Sequence, residues 1–171
     1  MKMRYFLLLI SCMILITSCG GPRGEPFLTT YTPIIMARES LERSVVFHSP
    51  EGIKDPAKIY YKDNFIFISE RFKGVHVIDN KDPKNPVNKG YISVPGCVDM
   101  AIKNNTLYVD NAVDLVAIDI ASISTSKISV KKRIINTFPE LGPPDGYPIP
   151  SKYYKVNRPK NSIIIGWEER K

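Results

Sequence analysis

"GVHVIDNKDPKNP" (Gly74–Pro86) decides how the chain is read. Val75 and Val77 alternate with Gly74 and His76, the run ends in Asp79, and a turn rich in Asn, Asp and Pro follows. Such alternation closed by turn formers predicts a β-strand. The same wording recurs downstream. "IYYKDNFIFISERFKGVHVID" (Ile59–Asp79) aligns with "MAIKNNTLYVDNAVDLVAID" (Met100–Asp119). Lys62 falls on Lys103 and Asn64 on Asn105, 41 residues apart; after a one-residue gap Asp79 falls on Asp119, 40 apart. A period of about 40 residues with four strands in each unit is the pattern of a propeller blade.

Working outward, nearly every segment reads as a strand. "AKIYYK", "NFIFISE", "GVHVID" and "KGYISV" make one unit, and "VDMAIK", "TLYVDN", "LVAIDI" and "KRIINTF" make the next. "YKDNF" and "IKNNT" each place an Asn at a tight hairpin, where a left-handed backbone is tolerated. The sequence therefore predicts an all-β fold of propeller-like, antiparallel four-stranded blades, at about 57–96 and 97–139, with a third beginning near 161–171. "ERSVVFHSPEG" (Glu42–Gly52) reads as an orphan strand that a last blade would borrow to close the ring. "MARESLERS" (Met36–Ser44) is the one helix-like segment, rich in good helix formers and long enough for two turns. A ring needs about 4–8 blades. Two visible units predict an N-terminal portion of a longer protein, or else self-association through open blade edges.

The first residues predict export. Lys2 and Arg4 precede the apolar run Tyr5–Ile16, and small residues follow, which is the layout of a signal peptide. The run is short for a bilayer span, which takes about 20 apolar residues. "ITSCGG" (Ile16–Gly21) resembles the lipobox of bacterial lipoproteins. That resemblance implies a signal peptide at 1–18, lipid attachment at Cys19, and acylation of the new amino terminus. Several acyl chains, each CH₂ contributing about 0.8 kcal/mol, would hold a folded domain on a membrane. Residues 19–33, dominated by Gly, Pro and Thr, read as a flexible tether, and the repeat region runs over 34–171. With Cys12 in the signal and Cys19 lipidated, Cys97 has no disulfide partner and reads as a small buried residue.

The propeller-like stretches, "GVHVIDNKDPKNP" and "LVAIDI", together with the lipobox, resemble the LVIVD-repeat lipoproteins of Bacteroidetes. The resemblance covers most of Pro33–Lys171. It implies a β-propeller and a location in the cell envelope, with the outer membrane the expected site. It carries over no activity, because the family has no catalytic motif.

The residues themselves point the same way. The net charge of +7 falls to about +5 without Lys2 and Arg4 and is spread along the chain; "KISVKKR" (Lys127–Arg133) alternates with Ile and Val as the wet face of a strand. Nucleic-acid binding would need a basic patch with a recognition element, so no nucleic-acid partner is expected. His48 and His76 lack neighbours at metal-ligand spacing, and no phosphate loop, nucleophile elbow or zinc motif is present, so no metal, cofactor or catalytic set is expected. Asp79 and Asp119 are equivalent; a ring of channel carboxylates is one reading, and capping of the following turn is the preferred one. Glu70, Asp99 and Asp110 could pair as carboxylates, although no spacing joins any two of them. Tyr60, Tyr61, Tyr91, Tyr108 and the stretch "YPIPSKYY" (Tyr147–Tyr154) offer rings to a sugar or peptide, or fill blade interfaces. The expected function is a lipid-anchored, non-catalytic scaffold or binding module for an unknown protein or glycan. The alternatives are part of a propeller enzyme acting on an envelope glycan, and a truncated non-functional product.

Overall fold

The structure is a computed structural model that describes residues 28–170. The segment read as a signal peptide, the expected lipid-attachment residue Cys19 and most of the segment read as tether lie outside the described residues. The fold is all-β and every strand pairing is antiparallel.

Two four-stranded meanders form its centre. In the first sheet β3 (Pro56–Lys62), β4 (Phe65–Glu70), β5 (Gly74–Asp79) and β6 (Val87–Ser93) lie side by side in chain order. In the second, β7 (Met100–Lys103), β8 (Thr106–Asn111), β9 (Asp114–Asp119) and β10 (Ser129–Ile134) do the same. The turns repeat with them. Asp63 and Asn104 open the two-residue hairpins with φ of 52° and 53°, so the left-handed residue is the Asp in the first hairpin and an Asn in the second. Phe72 and Ala112, 40 residues apart, are also left-handed, at 62° and 58°. Neither residue favours that region. Phe72 is held there because its N–H donates to the Cys97 carbonyl at 2.7 Å and its carbonyl accepts the Gly96 N–H at 2.8 Å.

The two sheets bury one core between them. Phe67, Val75, Val77 and Ile92 of the first share a cluster with Met100, Ile102, Leu107, Val109, Val116 and Ile118 of the second. The innermost strands are joined by polar bonds as well. Tyr60 Oη donates to the Ile102 carbonyl at 3.0 Å, and Lys58 Nζ reaches Asp99 Oδ1 at 2.5 Å.

Outside the meanders the chain differs from the sequence expectation. The strand β1 (Tyr31–Ala37) begins inside the segment that reads as tether and includes Met36, the first residue of the helix-like segment. The helix α1 (Arg38–Glu42) is five residues long, because Pro33 to Ala37 are held in extended pairing with β11 (Ser162–Glu169). That pairing makes β11 one half of a two-stranded ribbon. The orphan strand β2 (Val46–His48) is not held over for a distant blade. It pairs with β6 and becomes a fifth strand at the edge of the first sheet. Since β3 lies at the opposite edge, residues 49–55 must cross the face of that sheet. Asn88 on β6 donates to the Glu51 carbonyl at 3.0 Å, and Glu70 on β4 accepts the Lys54 N–H at 3.3 Å, pinning the crossing at two points.

Candidate functional site

The residues singled out in the sequence separate into turn caps, buried clusters and two surface clefts. Asp79 Oδ1 accepts the Lys81 N–H at 3.0 Å, and Asp119 Oδ1 accepts the Ala121 N–H at 2.9 Å. Both carboxylates cap the turns after their strands. Asp119 also meets Lys131 at 3.1 Å, and these bonds hold its carboxyl below the usual range. Cys97 is fully buried, and burial pushes its thiol well above the usual value, with the nearby Asp110 and Asp99 adding to the shift. A thiol so placed is a packing group and not a nucleophile.

His76 sits opposite Val75 and Val77 on β5 as its alternation requires, and it is fully buried under the 49–55 crossing. Its Nε2 is 2.8 Å from Glu70 Oε2, and its ring lies 4.7 Å from that of Tyr91. Lys73 Nζ approaches Glu70 Oε1 at 2.5 Å. Burial opposes the charge on Glu70, but the bonds from Lys73, His76 and the Lys54 N–H outweigh it and hold the carboxyl below the ordinary range. Burial, reinforced by the Glu70 charge, pushes the Tyr91 phenol far above its ordinary value. His48 lies opposite Tyr91 on the edge strand, and no group of three or more metal-ligating side chains forms among the described residues.

A second buried charge cluster was not legible in advance. Asp114, fully buried at the start of β9, receives Arg38 in a two-bond fork at 2.9 and 2.8 Å. Arg133 Nη1 donates to the same carboxylate at 2.8 Å and to Asn111 Oδ1 at 2.7 Å, and the Asn136 N–H adds a bond at 3.0 Å. Desolvation works against Asp114, and the two guanidinium groups more than offset it, so its carboxyl is held low. The cluster ties α1 and β10 to the β8–β9 turn. One signal was available: Asp114 stands where the repeat has Gly74, a charged residue in place of a spacer.

Two of the clefts open to solvent gather residues singled out in the sequence. The first, of about 450 Å³, lies between the ribbon and the β4–β5 turn, with Tyr31, Phe72 and Trp167 as walls and Arg71 and Lys73 at the rim. Arg71 is loosely held, 3.8 Å from Asp55. The second, of about 380 Å³, lies on the outer face of the second sheet among Ala101, Tyr108, Leu115 and Phe138, with Lys58, Asp99 and Asp110 beside them. The structure thus brings Asp99 and Asp110 together and leaves Glu70 apart. Burial raises the Asp110 carboxyl, while Lys58 holds that of Asp99 low. Asp110 nevertheless spends both oxygens on backbone: the Val98 N–H at 3.0 Å and the Asp99 N–H at 2.8 Å. The "YPIPSKYY" stretch contributes Tyr153, packed edge-on against Trp167 at 6.4 Å. Compared with protein-family models, curated proteins and solved structures, the chain matches none.

Proposed function

We propose that this chain is a lipid-anchored protein of the cell envelope whose propeller-type sheets serve as a non-catalytic scaffold or binding module. One observation supports the scaffold reading above others: the outer face of the second sheet carries Tyr108, Leu115 and Ala117 at the repeat positions of Phe67, Val75 and Val77, which the first sheet uses to pack on the second. A face built for packing and left open is a docking face. The carboxylates are committed as well. Glu70 and Asp114 are each tied to cations, and Asp110 to backbone N–H groups, so none is poised to exchange a proton with a substrate. The anchor rests on "ITSCGG". In a bacterial host fed labelled palmitate, the chain should take up label and fractionate with membranes, and Cys19→Ser should lose the label. Equal labelling of the two would remove the anchor from this account.

A second reading has one observation in its favour. Asp99 and Asp110 share a cleft with their carboxyls pushed in opposite directions, the arrangement that assigns a base and an acid in many hydrolases. It predicts glycan cleavage by the purified chain that Asp110→Asn abolishes.

A further inference from the structure

The repeat relates faces as well as strands. Sheet-one residues that meet the second sheet (Tyr60, Phe67, Val75, Val77) map onto Ala101, Tyr108, Leu115 and Ala117. Those four lie on the open face of the second sheet, where Ala101 is exposed and Tyr108 is 38% exposed. The reverse mapping is equally specific. Ile102, Leu107 and Ile118, by which the second sheet meets the first, map onto Tyr61, Ile66 and Ile78 on the far face of the first. The crossing segment 49–55 covers the outer strands of that face, around His76 and Tyr91. It leaves the inner strand bare: Ile59 is 65% and Tyr61 59% exposed. One copy therefore carries both halves of a contact it already makes internally, one half on each outer side.

We propose that the open face of the second sheet docks against the inner part of the far face of the first sheet in another copy of this chain, head to tail, repeating the intrachain stacking. This rests on the propeller-type reading above. The register follows from the repeat. Tyr60 and Ile102 are bonded across the internal interface, and one unit onward the same pair is Ala101 of one copy and Tyr61 of the next. A head-to-tail contact has unlike surfaces, so copies add until the rotation closes. The bare area is limited to the inner strands, so docking is favoured where the chain is concentrated. A membrane anchor raises its effective concentration.

The test uses the full chain in the membranes of an expressing host, treated with a bifunctional maleimide. Ala101→Cys and Tyr61→Cys are made singly and together; both positions are exposed, so both tolerate the change. The parent chain, with Cys19 and Cys97 in place, sets the background. The expected result is covalent dimers and higher species from the double variant and from co-expressed single variants, and background alone from either single variant. Equal crosslinking by a single variant means a symmetric contact and overturns the proposal. Background alone in every case overturns it too, whether a different partner or a further segment of the same polypeptide covers the face. A separate variant, Lys58→Cys with Asp99→Cys, reads the internal stacking through an intrachain crosslink seen as a mobility shift. If that link forms while the intermolecular one does not, docking alone is lost; if neither forms, the stacking reading fails.

Discussion

Ser69 and Asp110, 41 residues apart, make the same bond in the two sheets. Ser69 Oγ accepts the Lys58 N–H at 2.9 Å, and Asp110 Oδ1 accepts the N–H of Asp99, the repeat equivalent of Lys58, at 2.8 Å. Other bonds repeat in the same way. The Asn80 N–H donates to Asn64 O at 2.7 Å, and the Ile120 N–H donates to Asn105 O at 3.0 Å. Asp110 is thus first a strand-end clasp, and its charge is incidental to that duty.

The clasp gives Asp110 an unusual pH dependence. Its folded-state carboxyl is raised by burial, so the native state holds its proton at a pH where the unfolded chain has released it. Stability from this group is present below the ordinary Asp range and falls as pH rises through the raised value. Asp110→Asn keeps an acceptor for the Val98 and Asp99 N–H groups and removes the partly buried charge. Its melting temperature at neutral pH should equal or exceed that of the parent. Asp110→Leu removes the acceptor from those two exposed N–H groups, which water can then take over, and should cost about 0.5–1.5 kcal/mol.

Asp114 behaves oppositely. Its carboxyl is depressed by Arg38 and Arg133, so its stabilisation is present above the ordinary Asp range and is lost as pH falls through the lowered value. Asp114→Asn leaves two guanidinium groups half-partnered. We expect a loss of about 3–5 kcal/mol in urea unfolding at neutral pH. The gap from the parent should narrow on acidification; a constant gap from neutral pH into the acid limb would refute the ion-pair explanation.

The sheet–sheet interface should be costly to cut and its polar link cheap. Phe67→Ala empties a fully buried site in the shared core and should destabilise by about 3–5 kcal/mol. Tyr60→Phe removes only the bond to the Ile102 carbonyl and should cost about 0.5–1.5 kcal/mol. Chemical denaturation of both variants, with unchanged slope, is the check.

Gly96 is the joint between the two sheets. Its φ is +81°, and a Cβ there would lie 2.6 Å from the Ala112 backbone. Gly96→Ala combines left-handed strain with that clash, and the strain alone costs about 1–3 kcal/mol. A melting temperature equal to the parent's would contradict the packing of Gly96 on Ala112.

Much of the meander was legible because period-2 alternation and Asn turns are local signals, and because two copies report on each other. What escaped depends on distant residues. Tyr31 to Ala37 reads as tether and helix, and becomes a strand only because Ser162–Glu169 lies beside it. Arg133 sits in a Lys-rich strand that reads as solvated, and it turns inward because Asp114 is there. β2 reads as a strand, but its partners on β6 lie from 43 (His48 to Tyr91) to 47 (Val46 to Ser93) residues away, so its place in the sheet is not a local signal. Asp99 and Asp110 meet because the two-residue turn at 104–105 pairs Met100 with Val109 and so brings the next residues together; the "IKNNT" hairpin carries that register in the sequence, although the spacing was not read that way.

Two repeated sheets stack by unlike faces, and methyl-labelled NMR reads that stacking without a mutation. Cross-peaks are expected from Val75, Val77 and Ile92 to the second-sheet methyls of Ile102, Leu107, Val109 and Val116. Cross-peaks from those second-sheet methyls to Ile66, Ile68 and Ile78 within the same copy would place the sheets together by the wrong face and contradict it.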